Sequence, residues 1–153
     1  AIIGKMLESN FPIKKKVIVI GGQFPGCSLA LFLAQKGKKV TVLEESELYG
    51  YDMEAHTLVA LNNQVKEENV KFVTSVKIEE ITDKGAVIID DKGNKNLEPA
   101  DTVIVAMDLL PSDSNLEKEL RGKVKELFTV GDAKSFRHIK KAVSEGYVVA
   151  YAL

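Results

Sequence analysis

The amino-acid sequence predicts an α/β domain: a parallel sheet, helices on one face, and an antiparallel β-meander serving as one crossover. Three observations carry this. Residues 17–20 (Val-Ile-Val-Ile) form an unbroken β-branched run that enters a glycine turn at Gly21-Gly22, continues into an apolar helix and returns in Val40-Thr41-Val42-Leu43-Glu44. Apolar strands without polar alternation are those buried on both faces, the habit of parallel sheets. From residue 76 the period changes to two, with Asp/Gly turns at Thr82-Asp83-Lys84-Gly85 and Asp90-Asp91-Lys92-Gly93-Asn94. Alternating strands joined by such turns are antiparallel hairpins. Residues 102–106 (Thr-Val-Ile-Val-Ala) are again apolar throughout and return to the parallel sheet. The sum is a Rossmann-like three-layer domain with a meander where a crossover helix is usual.

Composition narrows the function classes. With 153 residues the chain has the size of one domain and enough length for a sizeable core. A formal net charge of −1 with dispersed lysines offers no basic field for nucleic acid or an anionic membrane. No apolar run reaches the length of a membrane span, and no signal-peptide pattern opens the chain. The single cysteine, Cys27, excludes an internal disulfide and a Cys-x-x-Cys redox pair. A reducing, cytoplasmic compartment is the expectation. Ala1 in place of methionine fits a processed start, a vector remnant or the cut end of a longer protein.

Each element has a local reason. Residues 1–15 read as a connector broken by Asn10-Phe11-Pro12, and Lys14-Lys15-Lys16 is a solvated strand entry. The first helix starts near Pro25, which suits a first-turn position, carries Leu29, Ala30, Leu31, Leu33 and Ala34, and stops at Gly37. Cys27 lies in its first turn and reads as a small buried residue. After a polar loop at 45–50, a second helix spans about 52–68 with Ala55, Leu58, Leu61 and Val65 on one face. His56 lies on it without a metal partner. A third strand follows at 70–73, then the meander through Leu97 and the fourth parallel strand. Residues 109–122 form a polar connector with Pro111 and a short helix. Residues 127–132 read as a strand ending in Gly131-Asp132, followed by a helix with Ile139, Ala142, Val143 and Tyr147 on its buried side.

The first turn aligns with the pattern G-x-G-x-x-G as Gly21, Gly22, Gln23, Phe24, Pro25 and Gly26. In such a turn the first glycine makes the bend, the second lets backbone approach a pyrophosphate, and the third brings helix and strand together. Gly21 and Gly26 keep their roles. Gln23 places a side chain where phosphate would sit, although a rotated amide can donate to a phosphate. The helix N-terminus is expected to offer unpaired N–H groups and a partial positive charge. The alternative is a turn that only packs strand on helix. Glu44, at the end of the second strand, stands where an acid accepts from ribose hydroxyls and repels a 2′-phosphate. The alternative is an exposed strand-end glutamate.

Taken in order, these motifs resemble flavoprotein reductases with two dinucleotide-binding domains, of the pyridine nucleotide-disulphide oxidoreductase superfamily. The likeness is to the C-terminal region of NADH:flavin oxidoreductases of the 2,4-dienoyl-CoA reductase and trimethylamine dehydrogenase type. It rests on residues 17–44 with Leu-Ala-Gln-Lys-Gly at 33–37, on the meander, on Phe128-Thr129-Val130-Gly131-Asp132-Ala133, on Arg137-His138-Ile139, and on Ala142 and Glu145-Gly146-Tyr147. It implies an NADH-binding core at 16–122 and a segment at 123–153 that returns into an FAD domain. It further implies NADH contacts at Gly21, Gly22, Gln23, Phe24, Pro25, Gly26, Glu44, Glu45, Ala106 and Met107, and FAD contacts at Gly131 and Asp132, the aspartate holding the ribityl chain. Ala106-Met107-Asp108 departs from the family's Ala-Thr-Gly or Ala-Leu-Gly, and Asp108 adds negative charge near a dinucleotide. Gln23 and Asp108 together are expected to weaken NADH binding, and a micromolar affinity is worth only about 8 kcal/mol.

The resemblance implies no catalytic side chain, since hydride passes from NADH to FAD and the protein orients the rings. The first half of the FAD domain is not in this sequence. FAD binding is therefore expected only in an intact parent flavoprotein, whose remaining FAD and barrel domains are the implied partners. Two other readings stay open: a non-catalytic interaction domain with a degenerate cleft, and a binder of another nucleotide such as ADP.

Overall fold

The computed structural model describes residues 13–107, 115–135 and 139–153, in two compact units divided after Met107. The first contains β1 (Lys16–Ile20), α1 (Phe24–Gln35), β2 (Lys39–Leu43), α2 (Ala55–Glu67), β3 (Lys71–Val73), β4 (Lys77–Thr82), β5 (Gly85–Ile89), β6 (Lys95–Pro99) and β7 (Thr102–Val105). Strands β3-β2-β1-β7 form a parallel sheet, and β4-β5-β6 form the antiparallel meander. Val19 of the central strand β1 is in register with Val42 on one side and Ile104 on the other.

The pleat of β1 explains the three layers. Side chains alternate across a strand, so Val17 and Val19 join the cluster with Cys27, Leu29, Ala30 and Leu33 of α1 and with Leu61 and Val65 of α2. Ile18 and Ile20 face the other way and pack with Leu43, Val76, Ala86, Ile88 and Ala100 of the meander side. Both faces are sealed, with Ile18 at 1 % and Val19 at 0 % exposure. Full burial of a Val or Ile side chain contributes about 1.5–3 kcal/mol, so this strand anchors both layers. The predicted α/β class, parallel sheet and meander crossover are all present.

Helix α2 begins at Ala55, three residues later than predicted, and Asp52 instead places its carboxylate on the Phe24 N–H of α1. Leu61 and Val65 are buried as expected, but Ala55 on the same predicted face is exposed.

The second unit contains α3 (Leu116–Leu120), a 3-10 turn (Gly131–Ala133) and α4 (Ile139–Ala152). Two expectations fail there. Residues 127–130 are not a strand: Val130 is extended, but among the described residues no strand pairs with it, and Phe128 is exposed. An extended apolar run needs a ladder partner to become a strand. The predicted buried face of α4 is open, with Ile139 at 84 % and Tyr147 at 68 % exposure and Val143 also exposed. Periodicity marks a face that seeks cover, and none of the described residues of this unit supplies it. Among the described residues no helix is long and apolar enough to cross a membrane.

Candidate functional site

The glycine turn is wedged among three strand ends. The Gly21 N–H donates to the Leu43 carbonyl at 2.9 Å, and the Ala106 N–H donates to the Ile20 carbonyl at 2.8 Å. Gly21 has φ of +106°, and a Cβ there would lie 2.6 Å from the Ala106 oxygen. At Gly26 a Cβ would lie 1.8 Å from the Gly21 oxygen. The first and third glycines are therefore required by contact: the start of α1 sits directly on the turn. Ala106 and Met107 flank Gly21, so these predicted residues converge at the carboxyl end of the sheet, where open α/β sheets receive ligands.

Glu44 is not the exposed strand-end glutamate of the alternative reading. It is 7 % exposed. Its Oε2 accepts the Gly22 N–H at 2.5 Å and its Oε1 accepts the Ser46 N–H at 2.8 Å. Two charge-assisted bonds from backbone make a buried carboxylate tolerable. They also pin the glycine turn to the end of β2. A Cβ on Gly22 would press on the Glu44 side chain at 3.0 Å. Glu45, next along, is exposed.

The loop after β2 folds back over the turn. The Gly50 N–H donates to the Gly22 carbonyl at 2.7 Å. Gln23 donates through Nε2 to the Tyr51 hydroxyl. The Phe24 N–H, at the first position of α1, faces both carboxylate oxygens of Asp52 at 3.0 Å. This corrects the expectation of unpaired donors at that helix start: Phe24 is capped by Asp52, and Pro25 has no N–H. Sequence reading missed Tyr51 and Asp52. They lie 28 residues beyond the turn in an unpatterned loop, and only the fold brings them to it.

Cys27 is buried, as expected, with its Sγ 3.1 Å from the Gly22 carbonyl oxygen. Burial, with the charges of Asp52 and Glu44 adding to it, pushes its thiol up to about 12. That leaves no thiolate for nucleophilic work at neutral pH.

In the second unit, the Gly131 N–H donates to the Glu145 carboxylate at 2.9 Å, and Ala142 packs where a Cβ on Gly131 would stand. Helix α4 thereby holds the 3-10 turn that carries Gly131 and Asp132, and Asp132 is exposed. Asp108, Arg137 and His138 lie outside the described residues. Among the described residues no group of three or more His, Cys, Asp or Glu side chains is placed to hold a metal.

Residues 4–146 match the family model described as pyridine nucleotide-disulphide oxidoreductase. The chain is 31% identical over 144 residues to an NADH oxidase of Thermoanaerobacter brockii, covering 94% of this chain and 22% of that protein. It is 31% identical over 148 residues to a cinnamate reductase of Clostridium sporogenes, covering 90% of this chain and 21% of that protein. It thus spans about a fifth of the length of these curated relatives. Among solved structures, a 2-naphthoyl-CoA reductase superposes with a TM-score of 0.78 at 28% identity, covering 95% of this chain and 22% of the other. Histamine dehydrogenase from Rhizobium sp. 4-9 superposes with a TM-score of 0.79 over 99% of this chain and 25% of its own, and at 17% identity shows the fold alone. A glycine turn closed by Gly26 on Gly21, a parallel sheet with a meander crossover, and a match across most of its length agree: the chain belongs to the pyridine nucleotide-disulphide oxidoreductase family.

Proposed function

We propose that this chain is the NADH-binding domain of an FAD-dependent oxidoreductase, with residues 16–122 forming its core and 123–153 leading back into an FAD domain. The observation that carries the reading is the contact of Gly26 on Gly21, which keeps a helix start pressed against the turn at the carboxyl edge of the sheet. That edge is where a dinucleotide lies in such folds. The local chemistry fits. Gly21 and Gly26 leave no Cβ in the cradle, while the Gln23 amide and Tyr51 hydroxyl give it polar donors.

In this reading Gly21, Gly22, Gln23, Phe24, Pro25 and Gly26 form the phosphate side. Glu44 and Glu45 present acids to the adenosine ribose, and Ala106 and Met107 form the floor. Gly131 and Asp132 belong to FAD in the intact parent, whose FAD and barrel domains are the partners. NADH, when bound, supplies the hydride that FAD accepts. This chain's residues bind and orient. Acids at the strand ends favour NADH over NADPH, since no arginine follows them nearby in the sequence to hold a 2′-phosphate.

A second reading, a non-catalytic interaction domain with a lapsed cleft, is favoured by Asp52 on the Phe24 N–H and by Pro25, which has no N–H to give. Calorimetric titration with NADH, NADPH and ADP, alongside Gln23→Gly, separates the two. The cofactor reading expects NADH binding, weaker for NADPH. Binding by Gln23→Gly alone would mark a lapsed site, and binding by neither would leave the interaction domain.

A further inference from the structure

We propose that Tyr51, positioned by Gln23, is the phosphate-side contact of this cleft, its phenolic O–H replacing the backbone donors of the glycine turn. This rests on the dinucleotide reading above. In a glycine turn the pyrophosphate is ordinarily met by backbone N–H groups at the helix start. Here four of those groups are already committed. Gly21 donates to Leu43 at 2.9 Å, and Cys27 donates to the Gln23 carbonyl at 2.9 Å. Gly22 donates to Glu44 at 2.5 Å, and Phe24 donates to Asp52 at 3.0 Å. Pro25 has no N–H. Stripping Gly22 or Phe24 from its carboxylate would leave an anionic side chain facing an anionic phosphate.

The turn's side chains offer another route. Gln23 donates from Nε2 to the Tyr51 oxygen, so the phenol is the acceptor in that bond and keeps its own proton to donate. Tyr51 is 53% exposed, so the residue is open to a bound molecule. The Gly50 N–H on the Gly22 carbonyl ties the base of this tyrosine to the turn. The glutamine at the second-glycine position thus works with Tyr51: it gives up close backbone approach and holds a hydroxyl over the turn. Both groups are neutral, and their neighbours Glu44, Glu45 and Asp52 are acids. The ligand class is a nucleoside diphosphate group without an additional phosphate, as in ADP or NADH.

The test is calorimetry of ADP and NADH on the 153-residue chain as wild type, Tyr51→Phe, Gln23→Gly and the double variant, with thermal melts of each. Tyr51→Phe is expected to weaken both ligands about tenfold without moving the melting temperature, and to have no further effect in Gln23→Gly. A double-mutant cycle reads that coupling directly. Undiminished binding by Tyr51→Phe, or an equal loss in both backgrounds, overturns the assignment while leaving the NADH reading intact. If wild type binds neither ligand, the dinucleotide reading falls and the assignment falls with it.

Discussion

Gly26→Ala isolates the contact on which the site is built. The added Cβ would stand 1.8 Å from the Gly21 carbonyl oxygen and 2.9 Å from its carbon, with Ala106 Cβ behind at 3.6 Å. The struck atoms are backbone in a turn locked by Leu43 and Glu44, so no rotamer relieves the clash. Helix α1 must move off the sheet, disturbing the packing of Cys27, Ala30 and Leu33. Overpacking of this kind costs about 1–3 kcal/mol and occasionally more. A rigid partner puts it at the upper end, from which alanine's better helix propensity returns at most about 1 kcal/mol. A net loss of about 2–3 kcal/mol lowers the melting temperature by roughly 4–12 °C in a domain of this size.

Gly37→Ala is the control. Gly37 has φ of +75° but nothing within 4 Å of its would-be Cβ, so only left-handed strain of about 1–2 kcal/mol applies. The assay is thermal and urea denaturation followed by circular dichroism, with ADP titration of the folded variants. A Gly26→Ala protein that melts within about 2 °C of wild type, or is perturbed less than Gly37→Ala, refutes the argument that the turn and helix are in obligatory contact.

Other perturbations follow from the same geometry. Glu44→Gln keeps the shape but sets an amide NH2 against one of two backbone N–H groups, and should cost about 1–3 kcal/mol in urea unfolding; no loss would mean that Gly22 and Ser46 do not depend on the carboxylate. Asp52→Ala removes the cap on Phe24 and should destabilise by about 1 kcal/mol, read as a small fall in melting temperature. Cys27 should resist alkylation at pH 8 in the native protein and react fully in guanidinium. Its thiol rises from 9.0 unfolded to about 12 folded, so the folded state binds the extra proton between these values. The stability from keeping it neutral is whole below pH 9 and drains as pH rises toward 12. Melts at pH 8 and pH 11 should therefore show a larger loss for wild type than for Cys27→Ala.

The layers of this domain were legible in the sequence because they follow from periodicity. An unbroken run at 17–20 requires cover on both faces, and a period of two between Asp/Gly turns requires hairpins. Both signals act over a few residues, where pleat and turn geometry decide. The contact roles of Gly21 and Gly26 were likewise readable, since only glycine fits a turn met by backbone on two sides. Ile139, Val143 and Tyr147 carry the spacing of a buried helix face, and residues 127–130 carry the composition of a strand, yet among the described residues the structure shows neither. Apolar pattern states a need for cover, and a partner surface decides whether the need is met. The arrangement around the turn belonged to tertiary structure alone. Asp52 caps a helix that begins 28 residues before it, Tyr51 meets Gln23 across the same gap, and Glu44 turns inward to hold two backbone N–H groups. Such pairings depend on where a loop lands once the sheet has formed, and hydrogen-bond partners distant in sequence leave no local pattern to read.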